Sequence, residues 1–259
     1  MKLCRFLHQG SPRFGRVEGE VIVPLDGTFA DGWREGGGAV ALSGTTLLAP
    51  SIPNTFFCAG LNYTGHIQAA AAKGYQAAKV PTRPDIGYRA NNALSGHLAD
   101  IVRPADMEGN LEYEGELVAV IGRPLRHASR NEAQAGIFGW TVGNDVSARQ
   151  WQRSDRTFWR GKNADTFKPM GPWIETDFDP AGARTRVIIN GVQSSEYGTD
   201  SMIFSAVDFI VEITRYITMV PGDILWLGTD ATHAMNVGDL VEVEVTGLAT
   251  LANRVVAEK

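Results

Sequence analysis

The alternation of apolar and polar positions is clearest over residues 111–122, where the sequence reads LEYEGELVAVIG. Successive side chains of a strand point to opposite faces, so Glu112, Glu114 and Glu116 are predicted to share one face. Beyond Glu116 both faces are apolar, which indicates a strand covered on both sides. Buried carboxylates need a partner, because an isolated buried charge is very costly. The segment therefore predicts either a site for a hard cation or glutamates that project into water.

Short strand-like segments dominate the rest of the pattern, beginning with three glycine-separated segments in the first 24 residues. Asn190-Gly191 predicts a two-residue hairpin turn. Helices are predicted for the alanine-rich residues 63–79, for residues 145–152 and for residues 205–217, which carry an apolar stripe. Strands and helices do not alternate regularly, so we expect a strand-rich α+β fold.

Prolines mark a change in the chain near residue 50. Residues 47–53 read LLAPSIP and are predicted to be extended, because each proline disfavours helix at the residue before it. We therefore predict a small N-terminal β domain over residues 1–50 and a larger domain over residues 51–259. A chain of 259 residues is long enough for both.

Charge and composition exclude several classes of function. The net charge is −5 and basic residues form no run, so no nucleic-acid partner is expected. No segment approaches 18 consecutive apolar residues, so we expect no membrane span, and the N-terminus has no apolar core of a signal peptide. Cys4 and Cys58 are far apart and lack metal-site spacing. They indicate free thiols, a reducing compartment and a cytoplasmic location.

Six phrases occur in one order along the chain, and together they closely resemble the fumarylacetoacetate hydrolase family over residues 51–259. Each phrase alone would be weak, whereas the ordered set is specific. The resemblance implies a mixed β-sandwich roll with a small N-terminal domain, usually assembled as a homodimer. The phrases are FFCAGLNYTGH (56–66), LEYEGELVAVIG (111–122), TVGNDVSAR (141–149), RGKNADTF (160–167), SMIF (201–204) and PGDILWLGT (221–229).

The resemblance implies a divalent metal ion held by Glu114, Glu116 and Asp145. Three carboxylates without a soft ligand favour Mg²⁺, with Mn²⁺ as a substitute. Taken alone, Asp145 also fits the N-cap of the predicted helix. Glu112 is not a ligand in the family, and we expect it to pair with an arginine.

The resemblance also assigns roles to four further residues. Lys162 and His66 match the catalytic lysine and the general-base histidine, and a lysine is suited to stabilising a developing enolate. Gln152 and Thr229 match substrate-binding positions. Without the family pattern, Lys162 also fits a surface loop, His66 a helix start, Gln152 an exposed helix face and Thr229 a turn.

Two positions depart from the family pattern. Small hydrolases of the family carry a glutamate three residues after the histidine, where it orients the imidazole, and this chain has Ala69. Asp230 or His233 could face His66 instead. The family's lysine-proline motif is also altered, and here Arg89 could bind a second substrate carboxylate through its planar fork, or lie at the surface.

These residues predict a hydrolase that cleaves a C–C bond of a 2,4-dioxo acid, an acylpyruvate, through a metal-stabilised enolate. The alternative is isomerisation of a 2-hydroxymuconate-type dienoate or decarboxylation of an oxaloacetate-like 2-oxo acid at the same site. Ala69 favours the alternative, and the frequency of hydrolases in the family favours the first prediction. A catalytically silent oxo-acid-binding relative is a third possibility, against which the complete residue set argues.

Overall fold

Strands predominate in the computed structural model. The model describes the backbone of residues 1–72 and 80–259 and the side chains of residues 1–68 and 80–259. The α+β prediction is confirmed. The helices are α1 Thr64–Ala72, α2 Arg130–Gly136, α3 Arg149–Ser154, α4 Trp159–Asn163 and α5 Ala206–Thr214, with 3₁₀ turns at Asn91–Ala93 and Thr199–Ser201. The strands are β1 Lys2–His8, β2 Ser11–Glu18, β3 Val21–Thr28, β4 Gly32–Glu35, β5 Val40–Ala41, β6 Leu47–Leu48, β7 Phe56–Ala59, β8 Ile86–Tyr88, β9 Leu94–Ser95, β10 Ile101–Arg103, β11 Leu111–Glu112, β12 Gly115–Ile121, β13 Ile137–Asn144, β14 Ser147–Ala148, β15 Lys168–Glu175, β16 Arg184–Ile189, β17 Val192–Gly198, β18 Ile224–Trp226, β19 Ala234–Met235, β20 Leu240–Val245 and β21 Ala249–Ala257.

Within the described residues, thirteen strands join in one mixed sheet, whose main order is β4-β3-β2-β1-β15-β13-β12-β18-β7-β8. Lys2 of β1 lies opposite Glu175 of β15, so strands from both predicted domains belong to the same sheet. The division at residue 50 stays a prediction. A second sheet has the order β10-β21-β20-β16-β17, and a third the order β14-β11-β19.

The strand β12 lies at the centre of the large sheet and is buried along its whole length. Leu117, Ala119 and Ile121 pack into the largest core cluster, together with Val187 and Val243 of the second sheet. Val118 and Val120 pack on the other face, in the cluster that contains Trp226. The prediction of a strand covered on both sides is therefore confirmed.

Two local predictions are also confirmed. Asn190 and Gly191 both have positive φ, at 51° and 80°, and join β16 to β17 as a tight hairpin turn. The helix α5 begins after Ser205, whose side chain accepts a hydrogen bond from the backbone of Asp208 in a capping box.

The single strand predicted over residues 111–122 is wrong in one respect, because the chain changes sheets in the middle of it. Residues 111–112 pair with β14 and β19, whereas β12 pairs with β13 and β18. Between them, the Tyr113 amide donates to the His233 carbonyl at 3.2 Å. The Glu114 amide donates to Asn144 Oδ1 at 3.0 Å. These bonds replace the strand pairing that the alternation alone predicted.

The predicted helix start at Asp145 is also wrong. The helix α3 begins at Arg149, with Ala148 at its N-cap, so the N-cap interpretation of Asp145 fails. The Asp145 amide instead donates to the Glu114 carbonyl at 2.8 Å, which joins the two predicted ligands through the backbone. Of the helix predicted over residues 63–79, the structure describes α1, and residues 73–79 lie outside the described residues. No helix in the described ranges is long and apolar enough to cross a membrane.

Asn62 is a buried residue whose side chain links its own segment of the chain to two others. Its Nδ2 donates to the carbonyls of Leu227 at 2.8 Å and Phe204 at 3.1 Å, and its Oδ1 accepts from the Phe204 amide at 2.9 Å. Asn62 lies two residues before α1, and Leu227 lies two residues before Thr229. The Asn62 side chain therefore fixes the segment before α1 relative to the segments that contain Phe204 and Leu227.

We expect Asn62→Ala to lower the free energy of unfolding by about 3 kcal/mol, because it leaves buried backbone groups without partners. The matched control is Asn54→Ala, which removes an exposed amide that bonds Thr55 at 3.3 Å. Urea denaturation measures both. Equal losses in the two variants would contradict the role given to Asn62.

Candidate active site

Three carboxylates meet where the chain changes sheets. Glu114 lies at the break, Glu116 lies on β12, and Asp145 follows β13, which pairs with β12. One oxygen of each lies within 4.8 Å of the others. Their exposed fractions are 6%, 2% and 2%. The structure thus brings together the three residues predicted to hold a metal ion, in surroundings that exclude most water.

Asp145 is surrounded by three cationic side chains. Arg89 Nη2 lies 2.8 Å from Oδ2, Lys162 Nζ lies 3.2 Å from Oδ2, and Lys168 Nζ lies 2.6 Å from Oδ1. Burial alone would raise the pKa of Asp145, but the three charges hold it well below its usual range. Asp145 is therefore ionised at neutral pH.

Glu114 has two cationic partners. Lys162 Nζ donates to Oε2 at 2.6 Å, and Arg149 Nη2 donates to Oε1. Burial opposes ionisation, but these two charges lower the pKa of Glu114 to about 2. Arg149 also donates from Nε to Glu112 Oε2 at 2.7 Å, which confirms the predicted pairing of Glu112 with an arginine.

Glu116 differs from the other two carboxylates. Among the described residues, no cationic side chain bonds its oxygens, and Oε2 accepts one hydrogen bond, from the Gly228 amide at 2.7 Å. Burial, then the charges of Asp145 and Glu114, raise the pKa of Glu116 well above its usual range. A divalent cation would supply the missing positive charge. The all-oxygen set therefore fits Mg²⁺ or Mn²⁺.

A cavity of about 490 Å³ opens onto this cluster. Such a volume is typical of small-molecule sites. Its lining includes seven of the eight predicted site residues, and Asp145 lies in contact with two of them, Arg89 and Lys162. The seven are His66, Arg89, Glu114, Glu116, Gln152, Lys162 and Thr229.

His66 lies in the first turn of α1 and lines this cavity. Its backbone amide donates to Asp230 Oδ1 at 2.9 Å. Asp230 therefore holds the start of the helix rather than the imidazole. His233 instead lies next to Tyr113, with 5.9 Å between the ring centroids and the rings tilted by 46°. In the described part of the chain, no carboxylate bonds the imidazole of His66. Burial lowers the pKa of His66, although the charges of Glu114 and Asp230 act in the opposite direction.

The predicted substrate-binding residues differ in how many of their hydrogen-bonding groups already have partners. Gln152 Oε1 accepts from Arg149 Nη1 at 2.8 Å, which leaves its amide hydrogens without an acceptor among the described residues. The Thr229 hydroxyl lies 2.7 Å from the Tyr197 hydroxyl and 3.0 Å from the Ala231 carbonyl. Arg89 also lines the cavity, with its guanidinium on Asp145. The substrate-binding role of all three stays a prediction.

The sequence did not identify Lys168 as part of the site. Its side chain is 0% exposed. Besides Asp145, its Nζ donates to the carbonyls of Val146 at 3.0 Å and Phe167 at 2.9 Å. Burial lowers the pKa of Lys168 to about 8. The available signal was a lone lysine in the otherwise apolar segment FKPMGPW. Cys58 also lines the cavity, but burial raises its pKa to about 12, so it offers no thiolate at neutral pH.

Comparison with protein-family models identifies the family of this chain. The model described as "Fumarylacetoacetate (FAA) hydrolase C-terminal" matches residues 55–256. The chain belongs to the fumarylacetoacetate hydrolase family. A second model, "Rv2993c-like, N-terminal", matches residues 1–50.

Members of the family include enzymes of several classes. The chain is 34% identical to the oxaloacetate tautomerase Fahd2a of Rattus norvegicus over 229 residues, which is 83% of this chain and 70% of the rat protein. A solved 5-carboxymethyl-2-hydroxymuconate delta-isomerase from Mycobacterium smegmatis is 32% identical, with a TM-score of 0.89 and all of both chains covered. Maleylpyruvate hydrolase from Sphingobium sp. SYK-6, solved with manganese(II) and pyruvate, shares the fold at 24% identity, a TM-score of 0.79 and full coverage of both chains.

We expect Glu116→Gln to raise the melting temperature of the metal-free protein. The raised pKa means that the folded state binds a proton more tightly than the unfolded state. Stability is therefore lost as pH rises above 4.5, the ordinary value, and the neutral amide avoids this loss. For a chain of this size, each kcal/mol corresponds to about 2–4 °C.

Calorimetry in EDTA and then in excess Mg²⁺ or Mn²⁺ tests this prediction. The wild type should gain stability from the metal, and Glu116→Gln should gain much less. Glu20→Gln, an exposed position, is the control and should follow the wild type. An equal metal-induced gain in both glutamate variants would show that Glu116 is not a ligand.

Proposed function

We propose that the protein is a divalent-metal-dependent isomerase of a 2-oxo acid, which interconverts keto and enol forms or moves a double bond. The observation that carries the proposal is His66, a half-buried histidine of lowered pKa that lines the cavity together with Lys162 and whose imidazole has no carboxylate partner in the described residues. Such a base suits proton transfer on the substrate, which needs no activated water. The rat tautomerase and the mycobacterial isomerase, both above 30% identity, support the same class.

The residues of this chain divide the reaction between them. His66 in its neutral form takes a proton from carbon 3, next to the 2-oxo group. Lys162 carries three N–H hydrogens; two point to Glu114 and Asp145, and the third is available to the developing negative charge on the 2-oxygen. His66 then returns its proton to the oxygen or to a different carbon, which completes tautomerisation or double-bond migration.

The metal ion would be held by Glu114, Glu116 and Asp145. When bound, it supplies a Lewis acid that polarises the 2-oxo group. The free amide hydrogens of Gln152 are suited to a substrate oxygen. Thr229 can donate there only after its hydroxyl turns from Tyr197 or Ala231, because a hydroxyl has a single hydrogen.

C–C hydrolysis of a 2,4-dioxo acid is the second candidate. The lowered pKa of His66 favours it too, since an unprotonated imidazole at neutral pH is the state that activates water. Against it stands Ala69, which cannot orient the imidazole as the family's glutamate does. Decarboxylation of an oxaloacetate-like acid requires the same enolate stabilisation and is a third outcome of the assay below.

We expect the Mg²⁺-loaded protein to isomerise oxaloacetate or a 2-hydroxymuconate-type dienoate and to leave acetylpyruvate intact. NMR in D₂O follows deuterium entering carbon 3 while the carbon skeleton is retained. EDTA should abolish the exchange. Release of pyruvate and acetate from acetylpyruvate would establish the hydrolase, and release of CO₂ from oxaloacetate would establish a decarboxylase.

The pH profile provides a separate prediction. Burial lowers the pKa of His66 below its ordinary 6.5, so kcat/KM should be constant above pH 7 and fall only below pH 6.5. His66→Asn should lower kcat/KM by about 10²–10⁴. His8→Asn, outside the cavity lining, is the control and should keep wild-type activity. An acid limb above pH 6.5, or a fully active His66→Asn, would assign the base to another group.

A further inference from the structure

Among the four cationic side chains in the described lining of the cavity, one has no carboxylate partner. Arg89, Arg149 and Lys162 each pair with a buried carboxylate at close distance. Arg156 also lines the cavity and is exposed, and within the described part of the chain it has no carboxylate or other hydrogen-bond partner. Its guanidinium therefore keeps its full capacity to bind an anion.

The loop that carries Arg156 is fixed at both of its ends. Asp155 is buried, and both of its carboxylate oxygens accept from Arg160 Nε at 3.1 Å. The Arg160 guanidinium lies 4.8 Å from the centre of the Trp151 ring. Phe158 donates its amide to the Asp155 carbonyl at 3.1 Å and accepts the Lys162 amide at 3.0 Å. Arg156 thus belongs to the same small unit as the catalytic lysine.

Close packing of α3 against α4 completes this unit. A Cβ atom on Gly161 would lie 2.8 Å from the Gln152 amide nitrogen, so the two helices approach as closely as glycine allows. The backbone positions of Gln152, Arg156 and Lys162 are therefore fixed relative to one another, with the lysine side chain on the carboxylates and the arginine side chain on an exposed part of the wall.

The charges of the inner cluster indicate what Arg156 adds. Four carboxylates, of Glu112 and the three predicted ligands, face four cations, of Arg89, Arg149, Lys162 and Lys168. With all four carboxylates ionised the cluster is balanced, so a divalent ion, which favours the ionised form of Glu116, would leave a charge of about +2 for the 2-oxo carboxylate end of a substrate. Arg156 is a further, separate positive charge.

We propose that Arg156 binds a second carboxylate at the far end of the substrate, and that the enzyme therefore prefers 2-oxo dicarboxylates to 2-oxo monocarboxylates. This inference rests on the proposed function of the cavity. The planar guanidinium fork matches a carboxylate with two parallel hydrogen bonds. Asp85, the acid that lines the cavity outside the metal cluster, repels a second carboxylate and so directs it to Arg156.

Arg156→Gln tests the proposal with oxaloacetate and 2-oxobutanoate, which differ in the distal carboxylate. For oxaloacetate we expect kcat/KM to fall about 10–100-fold, through loss of a charged hydrogen bond. Exchange of the carbon 3 hydrogens of 2-oxobutanoate should stay unchanged. Arg156→Lys should recover part of the loss, because it restores the charge without the fork. Arg34→Gln, an exposed arginine outside the cavity lining, is the control for loss of a charge.

Calorimetric titration separates this proposal from the proposed function, because it needs no turnover. The Mg²⁺-loaded wild type should bind 2-oxoglutarate more tightly than 2-oxopentanoate, and Arg156→Gln should remove that preference. If the preference is present and lost but no 2-oxo acid is isomerised, the site binds dicarboxylates and the proposed reaction fails. If the wild type shows no preference, or Arg156→Gln weakens both ligands equally, the role of Arg156 is overturned.

Discussion

The structure around the cavity depends on the pairing of buried carboxylates with buried cations. Removing one partner of such a pair leaves an uncompensated charge in a medium that solvates it poorly. The cations come from separate parts of the chain: Arg89 follows β8, Arg149 and Lys162 lie on short helices, and Lys168 begins β15. The carboxylates therefore fix the ends of several elements that the hydrophobic core alone would leave free to shift.

Only part of this structure could be predicted from the sequence. The covered strand and the three carboxylates followed from alternation and from ordered motifs, and the hairpin from Asn190-Gly191. The break at residues 113–114 and the late start of α3 could not be predicted. At the break the backbone bonds to the Asn144 side chain and the His233 carbonyl, and before α3 the Asp145 amide bonds to the Glu114 carbonyl. Only the tertiary structure brings these partners near. No motif assigned Lys168 to the site, because only the tertiary structure brings it to its partner Asp145.

Under the proposed function, one cluster would serve several related reactions. Lys162 and the carboxylates would stabilise the enolate in each of them. The partner of His66 would then decide whether water is activated, and the far wall of the cavity would decide which substrates fit. These last two features lie on α1 and on the loop after α3, outside the central sheet, so they can change without a change of fold.

The pairing of β1 with β15 has a consequence for how the chain is made. The strand β1 leaves the ribosome long before β15, because the paired residues Lys2 and Glu175 are far apart in the chain. At 5–20 residues per second, the delay is roughly ten to thirty seconds. During that time the edge of β1 at Lys2 and Leu3 is without its final partner and open to aggregation, whereas Arg5 and Phe6 can already pair with β6. Long-range pairing of this kind also folds slowly, so newly made chains of this protein should depend on chaperones more than a helical protein of equal length.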